Sequence, residues 1–547
     1  MSDNIASQLR HWAQQRPNHN ALLVPAGANL PYTAYTFAQV EAYSDALAYG
    51  FQAWGLQPGD RVLVFLRPGL YFAATLFALF KLGAVPVFID PGMGVRGMLH
   101  CVRQAQARGL IGEPKIHLLR RLAPWAFRGV ELRATSSSTL FSSWILGAVP
   151  LAPWMQGATR EPFPLVPARG QDAAILFTSG STGPAKGVVC THEIFTYQVQ
   201  TLRHMFGLQP GDVDLAGFPF FSLFSISMGV TSVVADLNPS FPGRADPKKL
   251  VDAINAHGVT FAAGSPAIWE RVAQYCQAHS LTLPSVRCLA MFGAPVRSEL
   301  HELFLPILSK GTTYTPYGAT ECLPVTWISG IELRALGKGA NYGTCVGPPV
   351  PQTEIRIERE RGKSGEPSMS LDEVGEIVVG GPQVTPRYWR NEAATAQSKI
   401  YEGSKTWHRM GDLGYLDAEG KLWFCGRKAH AVRLDSGETL YSIPCEAPFL
   451  SHPQIRRTAL IAWQPRGSQA ITAGMVIERK DRCTTLSPAE RADFLRELTV
   501  LAASTPHTRP IANFFLSKDF PVDTRHNIKI DRQALALFFS RHPERKL

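Results

Sequence analysis

The sequence predicts an α/β protein built on parallel sheets, with a β-rich region and a smaller C-terminal domain attached. Short apolar strand-like runs alternate with stretches of helical spacing over most of the chain, the pattern of parallel sheets covered on both faces. Residues 355–425 break that alternation, because IRIERE, GEIVVGG and KLWFCG are short strands separated by turn residues. The chain has 547 residues, 45% hydrophobic and 18% charged. That is a globular composition, long enough for roughly three or four structural units.

Each element follows from its local pattern. Residues from Tyr35 to Gly55 carry apolar side chains at helical spacing and stop near Gly55. Arg61 to Phe65 (RVLVF) is a strand, Tyr71 to Leu82 a helix, and Val85 to Ile89 (VPVFI) a strand closed by Asp90-Pro91-Gly92. The alternation returns at Asp172 to Phe177, Leu250 to Gln277 and Cys288 to Phe292. Beyond Gly426 come further strands, a helix near Pro488 to Ala503 and a basic tail. Size alone allows an N-terminal domain over 1–426 and a C-terminal domain over 427–547.

Lys and Arg number 55 against 44 Asp and Glu, a formal charge of +11. Such a balance suits contact with anions such as nucleotides or acidic lipid headgroups, without choosing among them. The cysteines number nine, an odd count with no CxxC pair, which disfavours a zinc site or disulfide scaffold and points to a reducing, cytoplasmic compartment. The N-terminal MSDNIASQLRHWAQQRPNHN is polar from its start, so no Sec signal is expected. Phe218 to Ala235 is uncharged, but its second residue is Pro219 and it holds Ser222, Ser225, Ser227, Ser232, Thr231 and Gly229. It reads as a buried or substrate-lining segment rather than a membrane span. Leu70 to Ile89 has Lys81 in its middle and reads as a buried helix followed by a strand.

The most informative stretch is AAILFTSGSTGPAKGVVCTH, from Ala173 to His192. An apolar strand runs into Thr178, Ser179, Gly180, Ser181, Thr182, Gly183 and, three residues on, Lys186. Glycines let backbone N–H groups turn toward an anion, hydroxyls add donors, and the lysine adds charge. This suits a polyphosphate. It is not a Walker A loop, because the spacing to Lys186 is wrong for GxxxxGK[ST].

TSGSTGPAKG resembles the phosphate signature of the adenylate-forming enzymes, the superfamily of acyl-CoA synthetases, luciferases and peptide-synthetase adenylation domains. Ala185 stands where the family usually has proline. Further motifs fall in the family's order. Tyr317-Gly318-Ala319-Thr320-Glu321 is similar to YGxTE, and Phe292-Gly293-Ala294-Pro295 to the loop flanking adenine. Gly343 to Pro351 fits the turn before the β region. His408-Arg409-Met410-Gly411-Asp412-Leu413 is similar to RTGDL, and Gly426-Arg427 to the GR that opens the small domain. Lys529-Ile530-Asp531-Arg532 matches a KIxR core, with Ile528 in place of the usual glycine.

The resemblance implies the adenylate-forming fold: a large N-terminal domain of α/β subdomains plus a β-barrel-like subdomain, and a small mobile α+β domain. It implies ATP and Mg²⁺ as cofactors. Thr178 through Gly183 and Lys186 would hold the β- and γ-phosphates, and Gly293, Ala294, Pro295, Tyr317 and Gly318 the adenine. Thr320 would meet the α-phosphate, Glu321 the Mg²⁺, Asp412 the ribose, and Arg427 the ribose or phosphate. Lys529 would be the mobile lysine of adenylation. The hinge, normally Asp or Lys after GR, reads Lys428-Ala429-His430 here.

Within this superfamily, FPFFSLFSISMGVTSVVADLNPS, YGATECLPV, WHRMGDLGYLD, LWFCGRKAH, YSIPCE and RHNIKIDR resemble the bacterial β-lactone synthetases of long-chain olefin biosynthesis. That resemblance implies adenylation of a long-chain 2-alkyl-3-hydroxy acid and attack of its own hydroxyl on the acyl carbon. Ser222 stands where many relatives carry a histidine beside the acyl site. His192, His408 and His430 are the histidines to weigh as a base for that hydroxyl, and each reads first as structural. A long-chain acyl-CoA or acyl-carrier ligase, and a nucleotide binder without catalysis, stay open beside it. The group also implies an olefin-pathway decarboxylase and reductase as partners, and the basic charge allows peripheral membrane contact. No nucleic-acid motif is present.

Overall fold

The computed structural model describes residues 4–27, 31–137, 144–156, 161–178, 185–238, 241–336, 343–359, 374–464, 470–521 and 530–547. Two compact units emerge. The first takes Met1–Glu332, Val350–Glu354 and Val379–His408; the second takes Leu333–Pro349, Ile355–Val378 and Arg409–Leu547.

Two sheets organise the first unit. One runs in the order Val149–Pro150, Leu132–Thr135, Gly109–Gly112, Arg61–Phe65, Val85–Ile89, Asp172–Thr178, Lys186–Thr191. Its neighbours are parallel except for the last, antiparallel pair. The other runs Cys322–Ser329, Thr312–Ala319, Cys288–Met291, Phe261–Gly264, Val213–Ala216, Thr231–Val234, Asn20–Pro25, Tyr32–Thr36. It too is parallel inside, with an antiparallel pair at each end. The expected strands at 61–65 and 85–89 are present with those bounds.

The helices follow from caps and burial. Thr36 and Gln39 form a reciprocal capping box that starts Phe37–Ala53. Leu70–Leu82 is buried almost all round, and Gly83, at φ 74°, closes it in the left-handed region. Lys81 on that helix is fully buried, and its ammonium meets Glu41 at 2.7 Å and Asp45 at 2.6 Å. A buried charge persists only when paired in this way. The uncharged stretch from Phe218 becomes a helix, Pro219–Ser227, and a strand, Thr231–Val234, inside this unit. Among the described residues no helix is long and apolar enough to cross a membrane.

Most residues of the β-rich sheet fall in the second unit; its strands run in the order Thr344–Gly347, Leu422–Arg427, Lys405–Leu416, Gly375–Gly380, Glu354–Glu358. The C-terminal part of that unit packs a separate core around Ile455–Trp463, Thr472–Arg479 and Asn513–Leu516. Pro488–Ala503 starts on a capping box of Ser487 and Glu490. Glu446 on helix Ser442–Leu450 is buried, and it accepts two hydrogen bonds from Arg532 Nη2, at 2.8 and 2.9 Å, and one from the Leu460 N–H at 2.8 Å. All nine cysteines are unbridged.

Candidate active site

The site begins at two hairpins. Asp172–Thr178 and Lys186–Thr191 pair antiparallel with Thr178 opposite Lys186, so these residues form the feet of the glycine-rich loop. Ser179, Gly180, Ser181, Thr182 and Gly183 lie outside the described residues. Thr312–Ala319 and Cys322–Ser329 form the second hairpin, with Ala319 opposite Cys322 and Thr320-Glu321 as the turn. Gly318 has no room for a side chain: a Cβ there would lie 2.8 Å from the Cys322 carbonyl oxygen and 2.9 Å from Leu323 Cδ1.

A strap over Val384–Trp389 joins the edge strands of both sheets. Val384 bridges Cys322, and Tyr388 bridges Val188. The Thr385 N–H donates to the Glu321 carbonyl at 2.9 Å, and Trp389 N–H to that of Gly187 at 2.7 Å. Thus one short segment brings the phosphate-loop hairpin and the Thr320-Glu321 turn together.

The Tyr388 hydroxyl donates to Glu321 Oε1 at 2.8 Å. Lys186 Nζ stands 5.1 Å from the centre of the same ring, a cation–π distance. Burial, and then the Glu321 charge, push the Tyr388 phenol up, so it stays a donor. Thr385 Oγ1 donates to the Glu321 carbonyl at 3.0 Å, and Lys399 Nζ donates to Thr385 Oγ1 at 3.0 Å. Lys399 is 4% exposed, and burial pulls its ammonium down to about 8. Nearby Cys190 and Cys322 are pushed up to about 12, chiefly by burial, so they are neutral thiols.

The putting-together of the adenine flank follows from sheet polarity. In the parallel strands Val213–Ala216, Phe261–Gly264, Cys288–Met291 and Thr312–Ala319, the C-terminal ends share one edge, where such sheets form ligand crevices. Gly293, Ala294 and Pro295 follow one of these ends, and Tyr317 and Gly318 lie at another. Phe292 stacks between Phe218, at 5.1 Å and 30°, and Phe221, at 5.0 Å and 27°. Phe220 contacts Phe88 edge-on at 4.6 Å. Ser222 is buried and accepts from the Ser232 hydroxyl at 3.0 Å, so it is part of the core.

Asp412 and Arg427 belong to the second unit. They sit opposite each other in the sheet, with Arg427 Nη1 3.0 Å from Asp412 Oδ1. Asp412 is buried. Lys428–His430 is one turn of 3₁₀ helix. Lys529 lies outside the described residues; on either side of it, the Asp531 N–H donates to the Pro521 carbonyl at 2.8 Å.

The three histidines are poor bases here. His192 is buried, accepts from the Ile5 N–H at 3.3 Å, and is pulled down to about 4 by burial. His408 is buried and lowered well below its ordinary value, by burial and then by Lys399. His430 is also lowered to about 4, first by burial and then by Arg532 and Arg427.

Sequence reasoning missed Tyr388, Thr385 and Lys399. Tyr388 sits 67 residues from its partner Glu321, and no spacing rule links them. The donor set fits the nucleotide the loop suggests. A partly exposed carboxylate steadied by a phenol, a hydroxyl beside it and an ammonium nearby are what a hard cation and phosphate oxygens require.

Fold and site together define an adenylate-forming enzyme: the sequence profile described as AMP-binding enzyme matches residues 9–389, and the chain belongs to that family. It is 41% identical to the olefin beta-lactone synthetase of Xanthomonas campestris pv. campestris, over 98% of this chain and 97% of that protein. It is 38% identical to the olefin beta-lactone synthetase of Stenotrophomonas maltophilia, over 99% of each. The O-succinylbenzoate coenzyme A synthetase of Bacillus subtilis, solved with ATP and a magnesium ion, shares its fold with a TM-score of 0.73 and 22% identity. That match covers 96% of this chain and 98% of the other.

Proposed function

We propose that the chain couples ATP cleavage to β-lactone formation from a long-chain 2-alkyl-3-hydroxy fatty acid. The near full-length identity to two olefin beta-lactone synthetases carries this reading. The Lys186, Tyr388 and Glu321 cluster supports its first half.

In that half, a carboxylate oxygen attacks the α-phosphorus of ATP, the bond to the β-phosphate oxygen breaks, and diphosphate leaves. Both reactants are anions, so alignment and charge neutralisation supply the catalysis. Lys186 neutralises phosphate charge, Thr320 donates to the α-phosphate, and Glu321 holds Mg²⁺, with Tyr388 fixing one carboxylate oxygen. Bound Mg²⁺ adds further neutralisation of phosphate charge. Tyr317 and the Gly293-Ala294-Pro295 loop flank adenine, and Asp412 and Arg427 hold the ribose. Residues 1–426 serve as the nucleotide and acyl domain, and 427–547 as the mobile domain carrying Lys529. In the second half, the 3-hydroxyl oxygen attacks the acyl carbon, AMP leaves, and the hydroxyl proton is released to solvent. Intramolecular attack needs no second acceptor and gains from positioning. The aromatic segment around Phe220 and Phe221 suits long alkyl chains. A β-lactone product calls for a decarboxylating enzyme downstream, and a 3-hydroxy acid for a ketone reductase upstream.

The test incubates purified protein with ATP, Mg²⁺ and a synthetic 2-alkyl-3-hydroxy fatty acid, with and without CoA, and reads the extract by NMR. A β-lactone with AMP release and no CoA is expected. A thioester formed only with CoA overturns this reading in favour of an acyl-CoA ligase.

A further inference from the structure

Exposed apolar side chains gather in one region of the first unit. On helix Pro114–Leu122, Leu118 and Leu122 lie one turn apart and are 50% and 83% exposed. Trp125 follows in the next turn, and Trp144, 78% exposed, sits beside Ile145. The two segments touch: Arg120 Nη2 donates to the Leu146 carbonyl at 3.0 Å, and the Arg120 and Arg121 guanidiniums both approach Gly147. Buried residues normally absorb such side chains, so a cluster of them beside one groove marks an interaction surface.

The charge of this region is one-sided. Burial, and then the neighbouring Arg133 and Arg121 charges, hold the Arg120 pKa below its ordinary value, and the guanidinium stays charged. Among the described residues none of these three makes an ion pair. Arg133 lines a shallow groove with Trp54, Trp144 and Val149. Glu131 shares that groove, but Arg108 holds its carboxylate at 3.2 Å. Lys115 and Arg128 are exposed on the same helix and the turn after it.

We propose that Leu118, Leu122, Trp125, Trp144 and the Arg120–Arg121–Arg133 cluster dock this unit on an anionic lipid surface. The chemistry matches on both counts. Tryptophans and leucines enter the headgroup boundary, while arginines meet lipid phosphates and keep their stems in the apolar layer. A wholly polar anionic partner would satisfy the arginines and leave Leu122 and Trp144, 83% and 78% exposed, in water. The inference does not depend on the acyl substrate proposed above.

The full chain is mixed with vesicles of phosphatidylcholine alone or with phosphatidylglycerol and sedimented. Binding is expected only to the anionic vesicles, and added salt weakens it. The R121Q/R133Q variant binds roughly 25-fold less, about five-fold per arginine. L122S/W144S also loses binding, and brominated acyl chains quench the parent's fluorescence more than that of W144F. Unchanged melting temperatures keep these variants interpretable, and W144F alone suffices where a double variant fails to fold. No binding by the parent, or equal binding by the variants, overturns the proposal. So does loss of a dimer in R121Q/R133Q with vesicle binding intact, which assigns the face to a second copy of the chain.

Discussion

The hydroxyl of Tyr388 donates to Glu321 Oε1 at 2.8 Å while its ring lies under the Lys186 ammonium, 5.1 Å away. One side chain thereby fixes both a carboxylate and a cation around the place where phosphates are expected. Y388F keeps the ring and removes the donor. A hydrogen bond to a charged group contributes about 1.5–3 kcal/mol, so adenylation kcat/KM is expected to fall about 10- to 150-fold. The Mg²⁺ concentration for half-maximal ATP–diphosphate exchange rises with it. Unchanged Mg²⁺ dependence would remove Tyr388 from the site.

Lys399 has a pH signature. Its ordinary value of 10.5 is lowered to about 8 in the folded chain by burial. Between those values the unfolded chain binds more protons, so folding stability gains as pH rises through the window. K399M lacks this gain. The melting temperature of the parent minus that of K399M is expected to increase from about pH 8 to about pH 10.5. A flat difference would mean that Lys399 keeps its solution pKa.

Gly318 is a steric test of the Thr320-Glu321 turn. In G318A the new Cβ meets a backbone carbonyl at 2.8 Å, which no side-chain rotation relieves. Overpacking of this kind costs about 1–3 kcal/mol. Thermal unfolding registers that loss, and adenylation falls further than stability because the displaced hairpin carries Thr320 and Glu321. A variant as stable and as active as the parent would show that the hairpin tolerates a shift there.

Arg532 anchors the last long helix to Glu446 through a buried bidentate pair. R532M leaves a lone buried carboxylate and is expected to destabilise the C-terminal core by about 3–5 kcal/mol. Burial already raises Glu446, against the pull of Arg532. Without the arginine it rises further. The folded chain then holds the proton that the unfolded chain has lost, so the defect shrinks as pH falls. Urea unfolding at neutral and mildly acidic pH reads the difference; an equal loss at both would contradict it.

Local pattern made much of this legible in the sequence. Helix Pro488–Ala503 and strands Arg61–Phe65 and Val85–Ile89 have their expected bounds, since caps and apolar runs are local signals. Thr178 and Lys186 were legible because one loop joins them. Tyr388 was not, because it meets Glu321 only after two sheets from distant parts of the chain are brought side by side. Lys399 was hidden for a related reason. A lysine reads as a surface residue until the fold buries it beneath Thr385 and Cys322.

The strap over Val384–Trp389 also has a protective consequence. Lys186–Thr191 and Cys322–Ser329 are the outermost strands of their sheets, and open strand edges recruit other chains into aggregates. A six-residue segment shields both at once. Proteolytic nicking beside Arg387 would therefore do more than silence the enzyme: it would bare two adhesive edges and turn the chain into a seed for aggregation.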